Sequence, residues 1–381
     1  MFNVDRLKTT AALQLGEVYG ILAIEVILAV LIGLGLTATG LDGAAWILGG
    51  IAAGAIAFSS CRIFGVDSLQ PNRNARKAGQ LLVGLTIGLS LQHNNLNILP
   101  SQFLIFLGLP LFLMLSGAAI GWVYSRLEKI DLLSGLLATT PGNIGVMASI
   151  AADYSKNTAL VSLVQLTRFT TVIFVIPIIA NAAVPRSTHN AVAAVIQKVV
   201  AVSWFDLCIA CLLLAITLVV VYLGNKLKIP MAAFLCAIAV GLLFDAFLLV
   251  SPISIDFQLP ALFNLIGQIL LGVTIGEYWG LNPKLSFATI IRSLLPVVLM
   301  VITAFLAALL IQCLTGWNWL TCVLVTAPGG SPEMIWIALT LHQDTDVVTA
   351  AHVIRLLTIN LSLPLLLALV PAIATEARQP E

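Results

Sequence analysis

Charge is what this sequence has least of. Only 9% of its residues are Asp, Glu, Lys or Arg, against roughly a quarter in a soluble domain. With 60% of the chain hydrophobic, a soluble fold of this size could not hide its apolar surface. Lipid must therefore be the solvent for much of the chain. The net charge is +1, so no field draws in nucleic acid or an acidic partner.

Other absences narrow the chemistry. The four histidines (His93, His189, His342, His352) are scattered, with no carboxylate or cysteine at metal-ligand spacing. No nucleophile elbow, P-loop or dinucleotide fingerprint is present. We therefore expect no enzyme, no metal and no cofactor. Alternating ten-residue segments, the mark of a membrane β-barrel, are also missing. Cys208 and Cys211 form a C-x-x-C inside an apolar run, which reads as two small buried residues and not as a redox pair.

What is present is a series of apolar segments of the length that crosses a bilayer, about 20 residues. Six fall in the first half, near 18–39, 43–60, 78–92, 102–124, 131–153 and 158–181. Six fall in the second, near 199–223, 230–250, 260–279, 286–311, 318–340 and 346–372. We read residues 1–181 as a first membrane repeat, 182–198 as a linker with an interfacial helix, and 199–381 as a second repeat.

The halves are related. Gly79-Gln80-LLVGLTI-Gly88 matches Gly267-Gln268-ILLGVTI-Gly276 at seven of ten positions. Residues 138–177 align without gaps to 325–364 at an offset of 187, pairing Pro141-Gly142 with Pro328-Gly329 and Arg168 with Arg355. Arginine within an apolar span is uncommon, so that match is informative.

Parity sets the relation between the repeats. If the fifth segment of each half dips in and returns, each half makes five crossings and the repeats are inverted. Cytoplasmic loops are enriched in Lys and Arg. The re-entrant arrangement puts 14 of the 16 Lys and Arg outside the spans on one side, and the all-crossing arrangement puts 11 there. The expectation is an all-α polytopic membrane protein of two inverted repeats, each with about five crossings plus one re-entrant or broken helix. Both termini are expected in the cytoplasm.

Chemistry is expected where the fifth segments break, at Thr139-Thr140-Pro141-Gly142-Asn143 and Thr326-Ala327-Pro328-Gly329-Gly330-Ser331-Pro332-Glu333. Pro-Gly in an apolar segment interrupts the helix. Broken backbone survives in a membrane only where protein or a wet cavity satisfies its polar groups. The candidate substrate site is Thr139, Thr140, Gly142, Asn143, Arg168, Thr326, Gly329, Gly330, Ser331 and Arg355. Ser331 reads as an N-cap with Pro332 at the first helical position.

Two readings of the arginines stand. Either they bind an anion, aided by helix N-termini, or they neutralise the C-terminal ends of the broken helices. Gln165 and His352 share their faces one turn earlier. Glu333 has no acidic counterpart in the first half, where Val146 stands. It reads as an ion-coupling group for a proton or sodium, or as a local partner of Arg355. Glu25 is a second candidate. For Gln80, Thr86, Gln268 and Thr274, close glycine packing with interhelical hydrogen bonds is the favoured reading.

The doubled pattern T-T-P-G…R…P and T-A-P-G-G-S-P-E-M…R…P resembles the AbrB-type membrane protein family, which carries a duplicated membrane domain and is often labelled an ammonia monooxygenase. The resemblance implies kinship with inverted-repeat cation/proton antiporters and anion transporters. It implies a core of broken helices moving against a scaffold, a homodimer and the inner (plasma) membrane. The function expected is secondary transport of a small solute, such as an organic anion, coupled to protons or sodium. A membrane-embedded regulator or sensor without flux is the alternative, and a membrane monooxygenase is disfavoured for want of metal ligands.

Overall fold

The computed structural model describes residues 3–40, 44–64, 69–91, 102–142, 147, 150–152, 157–183, 191–250, 257–280 and 287–376. These residues form fourteen helices and no strand. They are α1 (Asn3–Ala38), α2 (Ala45–Ile63), α3 (Arg73–Ser90), α4 (Phe103–Glu128), α5 (Leu132–Thr139), α6 (Thr158–Ala183) and α7 (Ala191–Val200). They continue with α8 (Trp204–Lys226), α9 (Ala232–Val250), α10 (Ala261–Gly280), α11 (Phe287–Thr315), α12 (Trp319–Thr326), α13 (Ser331–Thr340) and α14 (Thr345–Glu376).

Seven helices among the described residues are long and apolar enough to cross a membrane. Their outward faces carry apolar residues, such as Leu31, Leu104, Ile216 and Leu310, while Glu25, Gln165, Arg168 and Arg355 are buried. That inverts the soluble arrangement and fits lipid as solvent. The chain is an all-α, multi-pass membrane protein.

Helix boundaries recur at the offset read from the sequence. Ala45–Ile63 is followed 187 residues later by Ala232–Val250, and Leu132–Thr139 by Trp319–Thr326. The starts of α6 and α14, Thr158 and Thr345, keep the same spacing. The duplication is thus a property of the elements as well as of the residues.

The chain divides into two compact units, each drawn from both halves. Unit one is Met1–Leu89, Val184–Gly224 and Cys236–Lys284. Its center is glycine packing. A Cβ placed on Gly50 of α2 would lie 2.7 Å from the Ile269 carbonyl oxygen of α10. The equivalent contact recurs between α9 and α3, where a Cβ on Gly241 would lie 2.8 Å from the Leu85 oxygen. Backbones this close require glycine, as small residues do in membrane helix pairs. Thr86 donates to the Leu82 carbonyl at 2.9 Å and also bonds Asn264 of α10, so this residue of the duplicated segment serves helix packing. Helix α7 covers the C-terminal part of the expected linker; residues 184–190 of that linker lie outside the described residues.

Unit two is Ser90–Ala183, Asn225–Leu235 and Leu285–Glu381. Its apolar core gathers Tyr124 of α4, Leu137 of α5, Val164 of α6 and Val297 and Met300 of α11. One expectation fails in unit one. Cys208 and Cys211 on α8 are exposed, not buried, because a lipid-facing surface accepts a small apolar thiol as readily as a core does.

Candidate functional site

The site is built from two short helices in unit two. Helix α5 starts at Asp131, whose carboxylate accepts from the Ser134 amide at 2.9 Å. Helix α12 starts at Asn318, the residue at the same offset, whose side chain accepts from the Leu320 amide at 3.0 Å. Such caps satisfy amides that lack a helical partner. Each helix runs eight residues, about 12 Å, too short to cross a bilayer core of about 30 Å. Each ends in an extended residue, Thr140 (ψ 126°) or Ala327 (ψ 125°), immediately before the Pro-Gly pair. Proline cannot donate and disfavours a helical residue before it, so the helix stops there.

Each break exposes carbonyls that the buried residues of α6 and α14 satisfy. Arg168 donates through Nη1 to the Thr140 carbonyl at 3.1 Å and through Nη2 to the Gly142 carbonyl at 3.3 Å. Gln165 donates to the Leu137 carbonyl at 2.6 Å and the Thr140 carbonyl at 3.0 Å, and accepts from Arg168 Nη2 at 2.7 Å. In the second half Arg355 donates to the Ala327 carbonyl and to Ser331 Oγ. His352 Nε2 bonds the Leu324 carbonyl at 2.9 Å, and its Nδ1 lies 2.6 Å from Arg355 Nη2. Guanidinium only donates, so Nδ1 accepts and Nε2 carries the hydrogen. Gln165 and His352 thus do the same work at equivalent positions.

The clamp uses the arginines as the sequence's structural reading expected, on helix C-terminal ends. It does not use all of Arg168. That side chain is fully buried, and its Nε has no hydrogen-bond partner among the described residues. It lies 3.9 Å from the point where a Cβ on Gly329 would stand, so the unpaired donor is close to the second break. Arg168 and Arg355 are near enough for their charges to interact. Two buried guanidiniums this close together make the place suited to an anion.

Helix α13 restarts after the second break. Its N-cap is Gly330, not Ser331, and Gly330 has φ +56°. A positive φ is cheap only for glycine. Ser331 is the first helical residue, and its hydroxyl turns instead to Arg355 and His352. Pro332 and the buried Glu333 fill the first turn. Glu333 Oε2 lies 2.9 Å from where a Cβ on Gly330 would stand, and the Phe169 ring closes on the same glycine. A side chain at Gly330 would therefore be strained by the positive φ and would crowd Glu333 and Phe169.

The structure collects Thr139, Thr140, Gly142 and Arg168 at the first break and Thr326, Gly329, Gly330, Ser331, Glu333 and Arg355 at the second. Asn143 lies outside the described residues. The threonine hydroxyls donate to backbone, Thr139 to Gly117 at 2.8 Å, Thr140 to Leu136 at 2.7 Å and Thr326 to Cys322 at 3.0 Å. Beside the second break lies a small apolar recess of about 20 Å³, lined by Val172, Ile176, Phe305, Val323, Thr326 and Pro328 among others. Sequence reasoning missed this apolar wall and Phe169, because they come from separate helices with no pattern in common.

The family comparisons agree with this architecture. The AbrB family model, described as "Transition state regulatory protein AbrB", matches residues 46–370. The chain belongs to this family, in its membrane form. A Bacillus subtilis (strain 168) protein, "Uncharacterized protein YhjN", is 29% identical over 304 residues, covering 77% of this chain and 78% of its own length. "Putative regulator AbrB" of Escherichia coli (strain K12) is 29% identical over 353 residues, covering 89% of this chain and 93% of its own.

Proposed function

We propose that this protein is a secondary transporter, and not an enzyme, that carries a small organic anion coupled to protons or sodium. One observation carries the reading. Two helices break in the same unit, each with a buried arginine at its break, and the Arg168 Nε, which has no hydrogen-bond partner among the described residues, lies beside Gly329. Broken helices whose ends face a solute are a recurring device of membrane carriers. The arginines supply the charge for a carboxylate or similar group, and the recess beside Thr326 and Pro328 offers an apolar wall to the rest of the solute.

Glu333 is the coupling group in this reading. It is buried in the first turn of α13, the positive end of the helix dipole. Whether it holds a proton or a cation, its charge is linked to substrate binding, and linkage is reciprocal. The repeats are inverted, both termini lie in the cytoplasm, and the protein works as a homodimer in the plasma membrane.

The alternative is a membrane-embedded regulator that binds a solute without moving it. The name of the Escherichia coli relative favours it. Flux separates the two. Purified protein is first screened by thermal shift against organic acids, since a ligand that binds only the folded state raises the melting temperature. The stabilising acid is then followed into proteoliposomes under proton and sodium gradients. Uptake driven by either gradient, with the ion dependence lost in Glu333→Gln, supports the transporter. Binding without uptake under any gradient supports the regulator.

A further inference from the structure

Unit one buries a second pair of acids that the proposed site does not use. Glu25 of α1 is fully buried, and Glu277 of α10 is 2% exposed. Helices α1 and α10 pack together around Ala29, Ile269 and Val273, and the two carboxyl groups are near enough to interact. Among the described residues, neither Glu25 oxygen has a hydrogen-bond donor. Glu277 Oε2 accepts from the Asn72 amide at 2.7 Å, and Asn72 caps the start of α3 through its own side chain.

Two carboxylates in contact away from water cannot both stay ionised. Something positive must lie between them. We propose that Glu25 and Glu277 form a proton-binding site, with one proton on Glu25 donated to the Glu277 carboxylate. The position of the proton follows from the neighbours. Glu277 has the Asn72 amide and the N-terminus of α3 to stabilise its negative charge. Glu25 has neither. A metal cation would want more oxygen ligands than these two side chains offer, and no group of three His, Cys, Asp or Glu is gathered among the described residues.

Helix α3, packed on α10 through Gly79 and Gly267, carries Arg73, Arg76 and Lys77 in its first turns, all at least partly exposed. Arg62 of α2 donates to the Gly280 carbonyl, one turn beyond Glu277. Lys198 of α7 is exposed. Glu277 stands three residues from the end of Ala261–Gly280. At about 1.5 Å per residue it is within about 10 Å of a span end, a short path for proton exchange with water. The site rests on no part of the transport reading.

The test is infrared spectroscopy of the purified protein in nanodiscs, with melting temperatures across a pH series. Wild type at neutral pH should show the carbonyl band of a protonated acid that disappears as pH rises. Glu25→Gln should remove that band, since its amide donates permanently in place of the acid. It should also flatten the alkaline fall of the melting temperature. Glu333→Gln should keep the band, which separates this site from the break in unit two. Absence of the band in wild type overturns the proposal whether or not the variants fold. So does its survival in Glu25→Gln, or a sodium-dependent stabilisation that Glu25→Gln abolishes, which would make the occupant a metal ion.

Discussion

Replacing His352 separates chemistry from shape. Its two nitrogens bond the Leu324 carbonyl and Arg355, and Gln165 makes the matching bonds to Leu137 and Arg168. Glutamine at 352 can therefore restore both, its amide donating to Leu324 and its oxygen accepting from Arg355. Leucine can restore neither. Hydrogen bonds between membrane helices contribute about 0.6 kcal/mol each, with a ceiling near 1.7. A bond from a charged donor contributes about 1.5–3 kcal/mol. His352→Leu should thus cost about 2–4 kcal/mol, and His352→Gln about 1 kcal/mol or less. Reversible unfolding of purified protein in mixed micelles, titrated with denaturing detergent, measures both. The reasoning fails if leucine is tolerated as well as glutamine, or if glutamine is as damaging as leucine.

Three further outcomes are expected. Arg168→Lys keeps the charge but loses the fork that reaches Thr140, Gly142 and Gln165 together; it should abolish the thermal shift given by an anionic ligand, and an undiminished shift would remove Arg168 from the binding set. Gly50→Ala should destabilise by about 1–3 kcal/mol through overpacking against Ile269, while Gly35→Ala, with nothing within 4 Å, should be neutral or stabilise by up to about 1 kcal/mol; equal effects in the same unfolding assay would refute the packing argument. A cysteine at position 190 of a cysteine-free variant should react with an impermeant maleimide from outside the cell, and labelling only from the cytoplasmic side would exclude five crossings per half.

The spans, the duplication and both helix breaks were legible because each is written locally. An apolar run, a repeated Gly-Gln segment and a Pro-Gly pair carry their meaning within about 20 residues. The arginines were legible as unusual, but not in their task. Arg168 reaches Thr140, and Arg355 reaches Ala327, each 28 residues back. Spacing alone does not say whether such a side chain faces a carbonyl or a ligand. The N-cap was misplaced by one residue because a glycine with positive φ caps the helix where the serine-proline pattern points to serine. The Glu25–Glu277 pairing was out of reach. Its partners belong to different halves, and nothing in the repeat marks them.

The duplication itself shows where function should be sought. Residues that serve the shared architecture recur in both halves: the Asx caps Asp131 and Asn318, the Pro-Gly pairs, the arginines, and Gln165 answered by His352. Two copies of one clamp make two helix breaks stable in lipid, and a break left unsatisfied would cost several kcal/mol for each orphaned group. Selection for folding keeps these residues alike. A directional, ion-coupled cycle has no such need for likeness, because a substrate and a coupling ion are different ligands. The halves part at Asn143-Ile144-Gly145 against Gly330-Ser331-Pro332, and at Val146 against Glu333. Only the second half can place a carboxylate in the first turn of its restarted helix. If the clamp is architecture, exchanging its members between halves should preserve the fold. If Glu333 is the coupling group, moving it to position 146 in a Glu333→Val background should not restore ion dependence, since Arg168 has Gln165 for a neighbour where Arg355 has His352. Recovery of ion-coupled uptake in that exchange would show that the two breaks are equivalent and that the asymmetry carries no function.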